Sequence, residues 1–275
     1  MFPVVTVLGK EMPPYMLCAL VGALSAVFVS CRIGKKNGLD DVTIITLSLL
    51  SFLGVGIGGC LLYGVTKIRT LWYILTHLEL IQSFGDLLTA VQLVFGGSVF
   101  YGGLIGMILV SLAYVRRKRL SRDYIDLTAA AIPLFHAWGR VGCFLGGCCF
   151  GIECSFGFVY HYSPIEMANG VRRLPVSLFE AIFNAALSAF LYACFRKKKH
   201  RGYLLNIYLY AYPAWRFVIE FFRGDTYRGF LWIFSTSQWV SIGLIAVNTA
   251  VLLCRARKRS AAAPVPAAET AKSEC

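Results

Sequence analysis

The chain has 275 residues, 57% of them hydrophobic and only 15% charged, with a mean hydropathy of +0.66. Soluble domains carry about 45–50% apolar and about 25% charged residues, so a water-soluble globular protein is excluded. The formal net charge of +13 does not indicate a nucleic-acid partner. The basic residues sit in short clusters between apolar runs, as the charge bias of membrane-protein loops requires.

Seven apolar stretches fall at about 15–31, 43–64, 96–115, 124–149, 176–195, 203–222 and 232–254. Each approaches the roughly 20 residues that a helix needs to cross a bilayer. The ~10-residue alternation of a membrane barrel is absent, so the expected fold class is an all-α integral membrane protein with seven transmembrane helices. The first run, Tyr15 to Ser30, has only Lys10 before it and no small-residue cleavage site, and reads as a retained span rather than a signal peptide. The segment 71–95 is apolar but carries His77, Glu79, Gln82, Asp86 and Gln92. Lipid would not tolerate that polarity on a span, so it reads as interfacial or re-entrant. The Ala/Pro-rich stretch 260–275 reads as a disordered cytoplasmic tail, leaving 1–259 as one membrane domain.

Orientation follows from the Lys and Arg residues. Eighteen of the 27 lie in the loops after the first, third and fifth spans and in the tail, seven lie on the other side, and Arg140 and Arg216 fall inside spans. The positive-inside rule then places the N-terminus outside and the C-terminus in the cytoplasm.

The chemistry is concentrated in a few polar residues inside apolar sequence. The stretch 136–151, HAWGRVGCFLGGCCFG, places Arg140 in the fourth span, and Arg216 lies in the sixth. An ionised Arg near a bilayer centre costs about 2.5–3.5 kcal/mol on insertion scales, so such residues mark polar cavities and function. Glu220 lies four residues after Arg216, and His136 four residues before Arg140, so each pair shares a helical face. Arg223 follows at the same membrane level as Arg140. Three guanidinium forks gathered there suit the phosphate oxygens of an anionic head group. Glu180 is a carboxylate on an apolar helix start. Gly96, Gly97, Gly102 and Gly103 bracket Tyr101, and Gly139, Gly142, Gly146, Gly147 and Gly151 crowd the fourth span. Such glycines allow close helix contact or broken backbone lining a cavity. Each feature also has a structural reading: a buried Arg216–Glu220 pair, packing glycines, and Tyr15 and Tyr101 as interfacial belt residues.

Cys143, Cys148, Cys149 and Cys154 form a Cys-x4-Cys-Cys-x4-Cys cluster. The spacing is not a standard zinc or iron–sulfur pattern. Small residues packed in a Gly-rich turn, a disulfide outside the cytoplasm and a catalytic thiol all remain open. No metal and no cofactor is called for.

In this order and spacing, the chain resembles the bacterial prolipoprotein diacylglyceryl transferases over nearly its whole length. The family's early Tyr-x-x-x-x-x-Val-Gly is similar to Tyr15–Gly22. Its Gly-Gly-x-x-x-His-Gly-Gly-Leu-Ile-Gly is similar to Gly96–Gly106, and its Gly-Arg-x-Gly-Asn-Phe-x-Asn-Gly-Glu to Gly139–Cys148. Its His-Pro-x-Gln-Leu-Tyr-Glu is similar to Leu174–Glu180, and its Arg-x-x-x-Glu-Phe-x-Arg-x-x-Asp, one residue shorter, to Arg216–Asp225. Tyr15, Gly103, Arg140, Gly142, Gly151, Pro175, Glu180, Arg216, Glu220, Arg223 and Asp225 are kept. Tyr101 and Leu174 replace histidines, Cys143 an asparagine, Cys148 a glutamate and Ser177 a glutamine.

The resemblance implies seven helices in the bacterial cytoplasmic membrane. It implies a reaction that moves diacylglycerol from phosphatidylglycerol to the lipobox cysteine thiol of a prolipoprotein signal peptide. Arg140, Arg216 and Arg223 would then hold the phosphate, with Glu220 fixing Arg216. Tyr101 would donate to a phosphate or glycerol oxygen, and His136 would stand in for the family's missing histidine as base. Tyr15, Gly103, Gly142, Cys143, Cys148, Gly151, Glu180, Arg223 and Asp225 would line the substrate site, with membrane lipids around it. Three alternatives are a paralogue that acts on another phospholipid-derived group or acceptor, a small transporter, and a cysteine-based redox or metal protein. The paired broken helices of inverted-repeat transporters are not seen.

Overall fold

A computed structural model describes residues 4–7, 9–224 and 230–261. Helices occupy all seven predicted stretches: α1 (Pro14–Lys36), α2 (Asp41–Thr66), α5 (Phe100–Arg117), α6 (Asp123–Gly146), α7 (Val176–Arg196), α8 (Leu204–Ile219) and α9 (Thr236–Ala261). Between α2 and α5 lie two short helices, α3 (Ile68–Thr76) and α4 (Phe84–Phe95). Among the described residues, α1, α2, α5, α7 and α9 are long and apolar enough to cross a membrane. α6 carries Asp123, Asp126, His136 and Arg140 along its 24 residues, and α8 has 16. At 1.5 Å per residue, α3 and α4 are too short to span about 30 Å of hydrocarbon. α3 buries no residue and α4 only Val94.

The boundaries moved for local reasons. α6 stops at Gly146 because Gly147 takes a left-handed φ of 68° and closes the helix, a conformation glycine adopts without a Cβ penalty. α8 ends in a single 3₁₀ turn, Glu220–Phe222. α9 runs to Ala261, past the expected tail boundary at 260; residues 262–275 lie outside the described residues, as does Asp225. The all-helical expectation missed three two-stranded ribbons: β1 (Val5–Val7) with β2 (Lys10–Met12), β3 (Glu153–Val159) with β4 (Arg172–Arg173), and β5 (Phe230–Leu231) with β6 (Phe234–Ser235), each antiparallel.

Glycine sets the helix spacing. Gly54 and Gly58 on α2 face Gly106 and Gly102 on α5, and a Cβ at Gly54 would lie 2.8 Å from the Gly106 carbonyl oxygen. The two backbones therefore touch, as small-residue helix pairs allow. On α6, a Cβ at Gly142 would lie 2.9 Å from the Tyr15 Cα, and on α1 one at Gly22 would lie 2.8 Å from the Trp138 Cβ. α6 is the central helix. Leu127, Ala129 and Ala130 are sealed with Leu191 of α7 and Tyr208 and Tyr212 of α8 in one core. The opposite faces stay apolar and open: Leu20, Leu24 and Phe28 of α1 recur every four residues and are 58–64% exposed, the mark of a lipid-facing stripe rather than a wet one.

With the start of α1 taken as the top of the bundle, the basic clusters sit at the bottom: Lys35 and Lys36, Arg116 and Arg117, Arg196, and the end of α9. There Asp126 accepts the N–H groups of Gly202 (2.5 Å) and Leu204 (3.1 Å), tying α6 to the start of α8. The top is held by backbone. Residues 150–152 thread between the segment before α7 and the segment after α8: Gly151 N–H donates to Leu174 O (3.0 Å), Ile152 N–H to Phe222 O (3.0 Å) and Gly224 N–H to Phe150 O (3.0 Å).

Candidate active site

The last turns of α6, the first turns of α7 and the end of α8 meet at the top of the bundle. Helical spacing puts His136, Arg140 and Cys143 on one face of α6. Glu180 lies in the second turn of α7. Arg216 lies in the last turn of α8, and the 3₁₀ turn sets Glu220 just beyond it before the chain extends at Arg223.

Glu180 is the hub. Its Oε1 is 3.1 Å from Arg140 Nη2 and 3.2 Å from Arg216 Nη1, and its Oε2 is 3.6 Å from Arg223 Nη1. Glu220 Oε2 lies 2.5 Å from Arg216 Nη2 and 3.9 Å from Arg223 Nε. Glu180 is completely buried, and the side chains of Arg216 and Arg223 are 3% exposed. Among the described residues, three guanidiniums gather on two carboxylates away from water. Buried charge survives only when paired in this way.

The expected residues come together unequally. Arg140, Arg216, Glu220, Arg223 and Glu180 form the cluster, in which Glu180 reaches three arginines rather than simply lining a wall. His136 joins through Arg140, whose Nε–H donates to His136 Nε2 at 3.2 Å. That bond leaves the proton on Nδ1, a buried atom with no hydrogen-bond partner. Phe100 stacks on the imidazole at 4.4 Å, and Tyr212 meets it edge-on at 4.9 Å. The Tyr101 hydroxyl turns to α9, 3.3 Å from Ser237 O and 3.2 Å from Ser241 Oγ. Ser237 also accepts from Arg216 Nη2 at 3.3 Å, so Tyr101 reaches the cluster through α9. Ser237 and Ser241 carry no signal in the sequence that would have singled them out. Gly142 and Gly103 sit at helix contacts, Gly103 also lining a cavity. Gly151 sits at the backbone crossing, where a Cβ would lie 2.6 Å from Leu174 O.

That cavity, of about 430 Å³, runs between α1, α2, α5 and α6 from Tyr124 and Ile44 near the bottom to Tyr15, Phe100 and His136 at the top. Aliphatic and aromatic side chains dominate its wall. His136 belongs both to the cavity wall and to the arginine cluster, so an apolar channel ends where the positive charge begins.

The fold and the site together define a helical membrane protein in which an apolar channel leads to a buried cluster of arginines and carboxylates. The family model described as prolipoprotein diacylglyceryl transferase matches residues 3–254. The chain is 30% identical to the phosphatidylglycerol–prolipoprotein diacylglyceryl transferase of Clostridium tetani over 243 residues, covering 87% of this chain and 92% of that one. It is 31% identical to the protein of that name in Geobacter sulfurreducens over 253 residues, covering 88% and 90%. To that of Bordetella parapertussis it is 33% identical over 220 residues, covering 78% of each chain. The chain belongs to the prolipoprotein diacylglyceryl transferase family.

Proposed function

We propose that the protein transfers the diacylglyceryl group of phosphatidylglycerol to the lipobox cysteine thiol of a prolipoprotein, forming a thioether and releasing glycerol phosphate. In this reading it lies in the bacterial cytoplasmic membrane with the top of the bundle outward, and α6 and α8 join the five apolar helices as spans. The charge bias of the loops supports that orientation. The single observation that carries the reading is the junction at His136, where an apolar cavity of about 430 Å³ meets the three-arginine cluster.

In the reaction the acceptor sulfur forms a bond to the terminal glyceryl carbon, and the bond from that carbon to the phosphate ester oxygen breaks. The electron pair leaves with the phosphate. Negative charge therefore grows on the phosphate, where preorganised cations stabilise it most. Arg140 is the most accessible of the three arginines, its side chain 12% exposed. It offers the first fork to the head group, and Glu180 and Glu220 keep the other two aimed. The apolar cavity, about 430 Å³, takes an acyl chain. When the phosphate takes up the Arg140 guanidinium, His136 Nε2 loses its hydrogen bond and becomes able to receive the thiol proton. A thiol of pKa about 8.5 needs such an acceptor at neutral pH.

The test is transfer by the purified protein from labelled phosphatidylglycerol to a lipobox peptide. Label should appear in a peptide thioether, and a peptide with serine in place of its cysteine should stay unlabelled. Phosphatidylglycerol that binds yet transfers nothing to the cysteine peptide contradicts this reading and favours a paralogue with another acceptor.

A further inference from the structure

Cys143 lies three residues after Arg140, one turn before the end of α6. The left-handed Gly147 reverses the chain, with Gly147 N–H on Phe144 O (3.2 Å) and Cys148 N–H on Cys143 O (3.3 Å). This brings Cys148 and Cys149 back over the helix end, so the Cys143, Cys148 and Cys149 sulfurs all lie within 4.8 Å of one another. Cys148 Sγ lies 3.7 Å from Cys143 O and 3.8 Å from Cys149 Sγ. Cys154, the fourth member of the sequence cluster, is not in the group. The group is pinned from behind: Ser177 Oγ donates to Cys149 O at 2.9 Å, and Phe150 beyond it is fully buried. The surroundings are cationic rather than greasy. Arg140 acts electrostatically on all three sulfurs, and Arg223 acts on Cys149 as well.

We propose that Cys143, Cys148 and Cys149 form a three-thiolate zinc(II) site whose open fourth position receives the acceptor thiol. Zinc–sulfur bonds are about 2.3 Å, which sets ligand sulfurs about 4 Å apart. The observed group needs a contraction of less than about 1 Å, which rotation of cysteine side chains supplies. A bare dication beside three arginines would be repelled. Three thiolates with zinc(II) carry a net charge of −1, which the neighbouring Arg140 guanidinium tolerates where it would repel a bare dication. Three protein ligands with one position open is the arrangement of catalytic rather than structural zinc, and among the described residues no histidine or carboxylate joins the group.

This inference rests on the transfer reading and deepens it. A thiol that coordinates zinc is deprotonated outright. The fourth position thus turns R–SH into a bound thiolate, its proton passing to His136 or to water. The thiolate sulfur then forms the carbon–sulfur bond as the carbon–oxygen bond to phosphate breaks. No electrons are gained or lost overall, and the neutral thioether, a weaker ligand, leaves the metal. The chain would in this way supply the nucleophile activation that its Tyr101, in place of a histidine, does not.

The experiment uses the full-length protein in detergent, stripped of metal under a phosphine reductant and titrated with cadmium(II) as a spectroscopic substitute. An ultraviolet thiolate-to-metal band should saturate at one cadmium per chain. Cys148→Ser and Cys149→Ser should weaken binding by at least about tenfold, and Cys60→Ser should not change it. Thermal unfolding of the serine variants in detergent checks that they fold. A lipobox cysteine peptide should increase the band, and its serine analogue should not. The inference is overturned by a reduced wild type with no stoichiometric band, by a band that survives Cys149→Ser, by a band that the cysteine peptide leaves unchanged, or by Cys148 found in a disulfide in native membranes. Transfer that is undiminished after chelation overturns it while the transfer reading stands. A zinc-loaded chain that binds the peptide but never transfers strikes the transfer reading instead.

Discussion

Glu180 and Arg140 meet across the α6–α7 contact, the carboxylate Oε1 3.1 Å from the guanidinium Nη2, with Glu180 wholly shielded from solvent. The same carboxylate also reaches Arg216 and Arg223. One side chain thus gathers three guanidiniums from α6 and the end of α8, and the geometry of the cluster depends on it more than on any arginine alone.

Replacing Glu180 with Ala should therefore cost stability as well as activity. Removing one partner of a buried ionic contact costs about 3–5 kcal/mol, because the remaining charges stay buried uncompensated. Thermal unfolding of the detergent-solubilised variant should show a clear loss, smaller for Glu180→Gln, which keeps the shape. An unshifted Glu180→Ala would mean that the arginines are satisfied without it.

Arg216→Ala should lower transfer by about 10²–10³-fold, the usual cost of one preorganised group facing developing charge. Arg216→Lys keeps the charge but not the planar fork, and its rate should fall between those of alanine variant and wild type. Rates measured on protein recovered in equal yield from the membrane check this, and a wild-type rate in Arg216→Ala removes Arg216 from the phosphate site.

His136→Asn should reduce the rate by about 10²–10⁴-fold. A base must be unprotonated to act, so the wild-type rate should rise with pH through the pKa of the base and then level. In His136→Asn that rising limb should vanish. A pH–rate profile whose rising limb survives in His136→Asn would assign the base elsewhere.

How far the sequence reaches is clear from these residues. The apolar runs, the basic clusters and the four-residue spacings of His136–Arg140 and Arg216–Glu220 are local properties, and the helices and their same-face pairs follow from them. Glu180 as a hub is not local. It is 36 residues from Arg216, and only the packing of α7 against α6 and α8 brings the groups together. Ser237 and Ser241 look like any polar residues near a helix start, yet they take the Tyr101 hydroxyl. The resemblance alone puts Gly151 at the substrate site. Its tightest constraint is a backbone crossing made by two segments far away in sequence. The cysteine spacing fits no standard metal pattern, because the left-handed turn at Gly147, rather than the spacing, gathers three of the four sulfurs.

The α2–α5 contact gives a test of packing alone. A side chain at Gly58 would run into the Gly102 carbonyl oxygen, so Gly58→Val must push the helices apart, at about 1–3 kcal/mol. Lowered thermal stability with the substrate affinity of the surviving protein little changed is expected. Unaltered stability would mean that α2 and α5 do not pack this closely.

The most direct test of the account is paired measurement of phosphatidylglycerol binding and diacylglyceryl transfer in wild-type protein and Arg140→Ala. Arg140 bridges Glu180 on one side and His136 on the other. If the cluster holds the lipid phosphate, Arg140→Ala should lose transfer and weaken binding of phosphatidylglycerol while binding of uncharged diacylglycerol in the apolar cavity persists. An Arg140→Ala protein that binds and transfers like wild type would contradict the assignment of this cluster as the head-group site.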